Sequence, residues 1–359
     1  MTLLLAGCPA GFGGDDLDPA DVPEFGHPDS RTLTVVATDD DGLNVPRDLE
    51  FHPVASDQLW VMNRADDSAS IFFDPGDDAQ DVDWRQDAYG NHFMEEVSSM
   101  AFGAVGSYTV GQSGFATCQE SRNTYNGAQA GNDFMGPALW SGDLDVFAEV
   151  NQSFSASALG SHLDMLHASP DCMGIAHDKD NAYWVFDGNK DQLVYYDFQV
   201  DHGPGNEDHS DGIIRRHTDV ELSRVEDVAG HMIQDGDGIL FIANTGAGTI
   251  LRVDPSTAEE IGNVRGSMEA LEEYTRWNGA TVEDWVTGLD EPSGIALAAD
   301  GRLFVSDHGT GEIIAFDADG TEIERLDTRG EAIMGIEIGP DGDLWYVDAG
   351  LEQLVRVDP

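Results

Sequence analysis

The chain has 359 residues, 40% of them hydrophobic, and 69 acidic against 17 basic side chains leave a formal net charge of −52. A charge of that size and sign excludes electrostatic attraction to nucleic acid or anionic lipid headgroups, and no apolar run approaches the roughly 18 residues of a membrane span. The acidic residues are spread through loops and turns, which reads as a solubilising surface suited to salty surroundings where charge is screened. The alternative is cation capture by Asp39-Asp40-Asp41-Gly42 and Asp235-Gly236-Asp237-Gly238, although neither has the ligand spacing of a calcium loop.

At the N-terminus, Leu3-Leu4-Leu5-Ala6-Gly7-Cys8 resembles a bacterial lipobox. The resemblance implies lipidation of Cys8, removal of what precedes it, and a place in the cell envelope or outside the cell, with the membrane reached only through the anchor; a stray apolar N-terminus with a free cysteine is the other reading. Residues 9–30, rich in Gly, Pro and Asp, read as a flexible acidic linker. Residues 31–38 then carry a strand-like run, Thr32-Leu33-Thr34-Val35-Val36-Ala37-Thr38.

From Pro46 onward the chain repeats one pattern. Short apolar runs rich in β-branched and aromatic residues alternate with Asp-Gly or Gly-rich turns, so each unit reads as antiparallel strands joined by tight hairpins. Weak copies start near Pro46 and Ser99. Clearer ones follow at Met173-Gly174-Ile175-Ala176, near Gly230, at Pro292-Ser293-Gly294-Ile295-Ala296-Leu297 and at Met334-Gly335-Ile336-Glu337-Ile338. Six units of about 45 residues predict an all-β, six-bladed β-propeller over residues 31–359. The last unit ends after its third strand, so residues 31–38 are expected to supply the outer strand of the last blade.

The extra length falls at 79–97, 122–137, 151–171 and 266–290, in connections expected on one shared face, where insertions on a rigid scaffold serve function. Residues 266–277 have helical composition and are expected to form a short lid with Met268, Leu271 and Trp277 turned inward. His92, Glu95 and Glu96 lie in the first insertion, Arg122 in the second, and His162, Asp164 and His167 in the third, while His231 opens unit four. His92, His162, His167 and His231 form a candidate cage at the channel rim for one divalent transition metal, zinc or copper, calcium being less suited to imidazole. Arg47 and Arg122 are candidates to hold an anionic ligand. His202 and His209 sit in a loop between third and fourth strands, which should open on the opposite face, and are left out of the site. Cys118 and Cys172 fall near the same end of adjacent blades, as a disulfide or as two buried thiols.

The units are similar to NHL repeats, with the pattern Pro-x-Gly-Ile-Ala, Asp-Gly, Leu-x-Val-x-Asp most complete over 172–197 and 229–359. That resemblance implies the propeller but hosts binding modules and enzymes alike. A more distant resemblance is to the peptidyl-hydroxyglycine amidating lyase, whose zinc-binding histidines follow the repeat's proline. The matching positions here hold Arg47, Ser99, Met173, Ser293 and Met334, with His231 alone in agreement, which argues against transferring that mechanism. Two functions are expected: a monomeric, lipid-anchored propeller that binds a small molecule, peptide or protein on its loop-rich face, or a metal-dependent lyase or hydrolase. In the second, Glu95, Glu96 or Asp164 would move the proton at the channel mouth.

Overall fold

In the second strands of the blades, apolar side chains are covered on both faces, so they read as continuous hydrophobic runs rather than alternating ones. Ala182–Asp187 is buried at every position. The computed structural model describes residues 22–104, 112–124, 131–153, 159–206, 208–267 and 269–359. These form six sheets, five of four strands and one of six, arranged as a six-bladed β-propeller. The inner strands are Pro46–Phe51, Val97–Phe102, Cys172–Lys179, Met232–Gln234, Pro292–Leu297 and Ile333–Ile338. Helix among the described residues is confined to short 3-10 turns, and no helix there is long and apolar enough to cross a membrane.

The repeat's glycine is explained by crowding at the axis. A Cβ on Gly174 would lie 2.0 Å from the Gly230 carbonyl oxygen, and one on Gly294 would lie 2.2 Å from that of Met334. No other residue lets neighbouring inner strands approach so closely. The repeat's aspartate has an equally local reason. Asp348, 1% exposed, ends its strand and accepts backbone N–H bonds from Glu331, Ala332, Gly350 and Leu351 at 2.9–3.1 Å.

The ring closes as the strand count requires. Thr32–Ala37 pairs antiparallel with Gln353–Asp358, from Thr32 opposite Asp358 to Ala37 opposite Leu354, and completes blade six. The ordered body extends further upstream than the expected boundary at residue 31. Val22 and Phe25 are fully buried among Phe304, Leu344 and Val357, and Arg302 holds Glu24 through two bonds of 2.7 and 2.9 Å. Two apolar anchors and a forked ion pair fix residues 22–30, expected as linker, against blades five and six. Cys8 and the rest of 1–21 lie outside the described residues.

Two expectations about 266–290 change. Residues Glu273–Asn278 are a strand, not part of a helix, and the insertion lies between the third and fourth strands of blade four, Thr249–Asp254 and Thr281–Thr287. Within it, Glu259–Asn263 and Glu273–Asn278 form a hairpin that crosses to blade three, where the second strand pairs in parallel with Ile213–Glu221. Pairing with blade three satisfies edge backbone groups that an isolated hairpin would leave to water. Leu271 does turn inward, against the core of blades two and three; Met268 lies outside the described residues.

A histidine and carboxylate cavity beside blade two

The insertions around blade two fold against one another and enclose a cavity of about 400 Å³, lined by His92, Phe93, Phe134, Met135, His162 and His167, with His209 closing it. His92 and Phe93 come from the 3-10 turn Asn91–Phe93 before blade two, and His162 and His167 flank its short outer strand, Asp164–Met165. The rings of Phe93 and His162 are 4.1 Å apart, and Phe134 stacks on His167 at 3.5 Å. Cys118 and Cys172 are joined by a disulfide with a Cα separation of 5.2 Å, so the segment carrying most of this wall is tied at both ends.

Three of the four histidines singled out in the sequence therefore meet, but beside the ring and not at its axis. His231 lies elsewhere: its ring enters the central channel, with Nδ1 3.2 Å from Asp48. His202 and His209, set aside above, belong to the cavity side. Their loop folds back along blade three through Gly203 and Gly205, both at positive φ, and is pinned by bonds from Gly205 N to the His162 carbonyl at 2.8 Å and from Asn151 to the Pro204 carbonyl at 2.8 Å. Glu269 was invisible in the sequence as a partner. The crossing hairpin delivers its carboxylate to Nδ1 of His167 at 2.6 Å.

The donors form two adjoining groups. One ligand atom each from His167, His209 and Glu269 lie within 4.8 Å of one another, and the same holds for Asp164, His202 and Asp211. Asp164 joins the groups: Oδ1 receives Nδ1 of His209 at 2.7 Å, whereas Oδ2, buried in a residue 1% exposed, has no hydrogen-bond partner among the described residues. Burial pushes His92 and His162 down to about 4 and lowers His167, so these imidazoles are neutral at pH 7, the form that donates a lone pair to a metal. A carboxylate on one ring nitrogen fixes the tautomer and leaves the other nitrogen as donor.

The remaining candidates separate. Glu95, Glu96 and Arg122 line a neighbouring cavity of about 340 Å³ with Glu120, Arg64 and Arg224; Arg122 is paired with Asp133 at 2.9 Å. Arg47 is buried and unavailable to an incoming anion. Its guanidinium donates to the Asp227 carbonyl and sits 3.8 Å from Glu120, and desolvation lowers it to about 10. Arg64 joins the same network, 2.7 Å from Asp227 and 3.4 Å from Glu120. Residues 222–231 thus reach from blade three to Arg47 of blade one, and His231 at their end lines the channel. The channel, about 280 Å³, is walled by Asp48, Glu50 and Glu337 with His231.

No protein-family model matches the chain, and no curated protein matches it. Solved structures do. An auxiliary nutrient binding protein of Bacteroides thetaiotaomicron superposes with a TM-score of 0.60 at 11% identity, over 92% of this chain and 76% of that one. A luciferin-regenerating enzyme gives 0.55 at 10% identity, over 92% and 96%. Regucalcin of Agrobacterium tumefaciens, a calcium-binding protein, gives 0.50 at 11%, over 90% and 92%. The shared property is the propeller. At such identities the scaffold is common to binding proteins and enzymes, and the chemistry rests on the side chains described above.

Proposed function

We propose that this protein is a lipid-anchored propeller of the cell envelope that binds a small ligand in the cavity beside blade two and holds a divalent transition-metal ion there. His167, His209 and Glu269 are the metal donors. The observation that carries the reading is their convergence from three separated segments, with Asp164 buried behind His209 and one of its oxygens lacking a partner. Imidazole and carboxylate donors suit zinc or copper, whereas calcium selects oxygen. Phe93, Phe134 and Met135 give the cavity the apolar surface against which an organic ligand would pack. The metal would fix a polar group of that ligand, and the neutral imidazoles around it would accept or donate hydrogen bonds without adding charge.

Metal analysis of purified protein tests this. Wild-type protein retains about one equivalent of zinc after dialysis, His167→Ala and His209→Ala each lose most of it, and His231→Ala keeps it. Equal metal content in all four proteins would remove the reading. The anchor is tested separately by Cys8→Ser, which should move the protein from the membrane fraction to the soluble one.

A second reading, a metal-dependent lyase or hydrolase, is favoured by the Asp164–His209 pair, in which the buried carboxyl meets a ring on the cavity wall and would relay a proton through it. Asp164 is the group for that role, because Glu95 and Glu96 lie in the neighbouring cavity. Turnover abolished by Asp164→Asn, with metal content retained, would select this reading over simple binding.

A further inference from the structure

The hairpin that crosses from blade four to blade three builds a second cleft, on the edge of the ring between those blades and separate from the histidine cavity. About 290 Å³ in volume, it is walled by Trp184, Tyr195, His217 and Trp277, with Arg215 and Asp178 at its polar edge. The parallel pairing sets His217 opposite Trp277; their rings are 6.2 Å apart and within 26° of parallel. Trp184 lies 4.8 Å from Tyr195 and 5.2 Å from His217. Without the inserted hairpin, Trp277 would be missing and the other rings would form an open edge.

Two buried polar atoms in this aromatic wall have no hydrogen-bond partner among the described residues: Nε1 of Trp184 and Nδ1 of His217, in residues 7% and 2% exposed. An unmet buried donor is destabilising, and a ligand oxygen arriving in the cleft would relieve it. At the rim, Asp178 accepts from Tyr195 at 3.3 Å and from Gln234 at 3.0 Å and keeps lone pairs to spare. Arg215 lies over Tyr195 and Trp277, 5.6 and 5.2 Å from the ring centroids, and is already clamped by both oxygens of Glu273 at 2.8 and 2.9 Å.

We propose that this cleft binds a pyranose ring of a neutral saccharide. Flat aromatic faces match the C–H face of a sugar, and hydroxyl groups, which both donate and accept, can meet an indole N–H, a neutral imidazole and a carboxylate at once. An anionic ligand is disfavoured because Arg215 is engaged, Asp178 and Asp237 offset Lys179 at the rim, and the whole surface carries strong negative charge. The cleft is at the small end of ligand-pocket volumes, which suits one ring of a longer chain.

The test is titration of the full chain with cellohexaose, maltohexaose, a chitin hexamer and, as a flat heteroaromatic competitor, adenosine, followed by tryptophan fluorescence and calorimetry. At least one hexasaccharide is expected to bind with a dissociation constant below about 1 mM and to shift the tryptophan emission. Trp277→Ala, at a partly exposed position on the inserted hairpin, should weaken that binding at least about tenfold with an unchanged circular dichroism spectrum, and His217→Gln should also weaken it. His209→Ala should leave it intact, which separates this cleft from the metal cavity. Absence of saccharide binding, tighter binding of adenosine, or saccharide affinity indifferent to Trp277→Ala would each overturn the proposal.

Discussion

At the scale of single residues, the repeat's closing aspartate shows how sequence grammar becomes geometry. Asp307 and Asp348 each receive backbone N–H groups from the loop preceding their blade and from the turn that follows. Where the repeat weakens, an amide takes the place: Asn63 accepts from Asn44 at 3.0 Å and Asn244 from Ser223 at 2.6 Å. Asp348→Ala strips four N–H groups of one acceptor side chain and should cost about 3 kcal/mol, while Asp348→Asn, keeping one oxygen, should cost about 1 kcal/mol. Urea unfolding measures the difference; equal losses from both variants would show that the hydrogen bonds are not what this position supplies. The same grammar made the first two units faint, because amides and altered turns broke the pattern without breaking the contacts.

At the scale of elements, the disulfide and the crossing hairpin organise the candidate site. Cys118 and Cys172 close a loop with a sequence separation of 54, which in the chain-entropy model stabilises the fold by about 4 kcal/mol. That loop carries His162 and His167, so the bond also ties down the cavity wall and one of the three proposed metal donors, His167. Cys118→Ala/Cys172→Ala should unfold at lower temperature and release zinc more readily than wild type at a temperature where both are folded. Unchanged zinc affinity would separate the disulfide from the site. His92, His162 and His167 were legible because they lie on the insertions adjoining one unit. His209 and Glu269 were not, because a glycine-permitted fold-back and a strand pairing parallel to a neighbouring blade are decided by tertiary contacts. His231 was legible as the head of a unit, but spacing alone carries no information on which way its ring points.

At the scale of the whole molecule, closure by Thr32–Ala37 and the carboxylate-lined channel set the conditions for stability. The fold was readable almost in full, since an incomplete last unit and a spare first strand leave one way to close a ring. The channel was not, because Glu337 is far in sequence from Asp48 and Glu50 and faces them only after closure. Burial, then repulsion from neighbouring carboxylates, raises Glu50 and Glu337 well above the ordinary carboxyl value; Nδ1 of His231 lies 3.2 Å from Asp48 on the same wall. A folded-state pKa above the unfolded one means stability is fully present below the ordinary value of 4.5 and is lost as pH rises toward the folded value. Glu337→Gln, which can still accept the Phe51 N–H, should match wild type near pH 4 and melt at higher temperature at pH 8. Parallel pH profiles for the two proteins would contradict the assignment.

Imidazoles and carboxylates from separated segments meet beside blade two, in the arrangement proposed to hold a metal. A crystal of the protein soaked in zinc, with data collected on either side of the zinc absorption edge, addresses it directly. An anomalous peak is expected between His167, His209 and Glu269; a peak confined to the channel at His231 and Asp48, or none at either place, would contradict metal binding beside blade two.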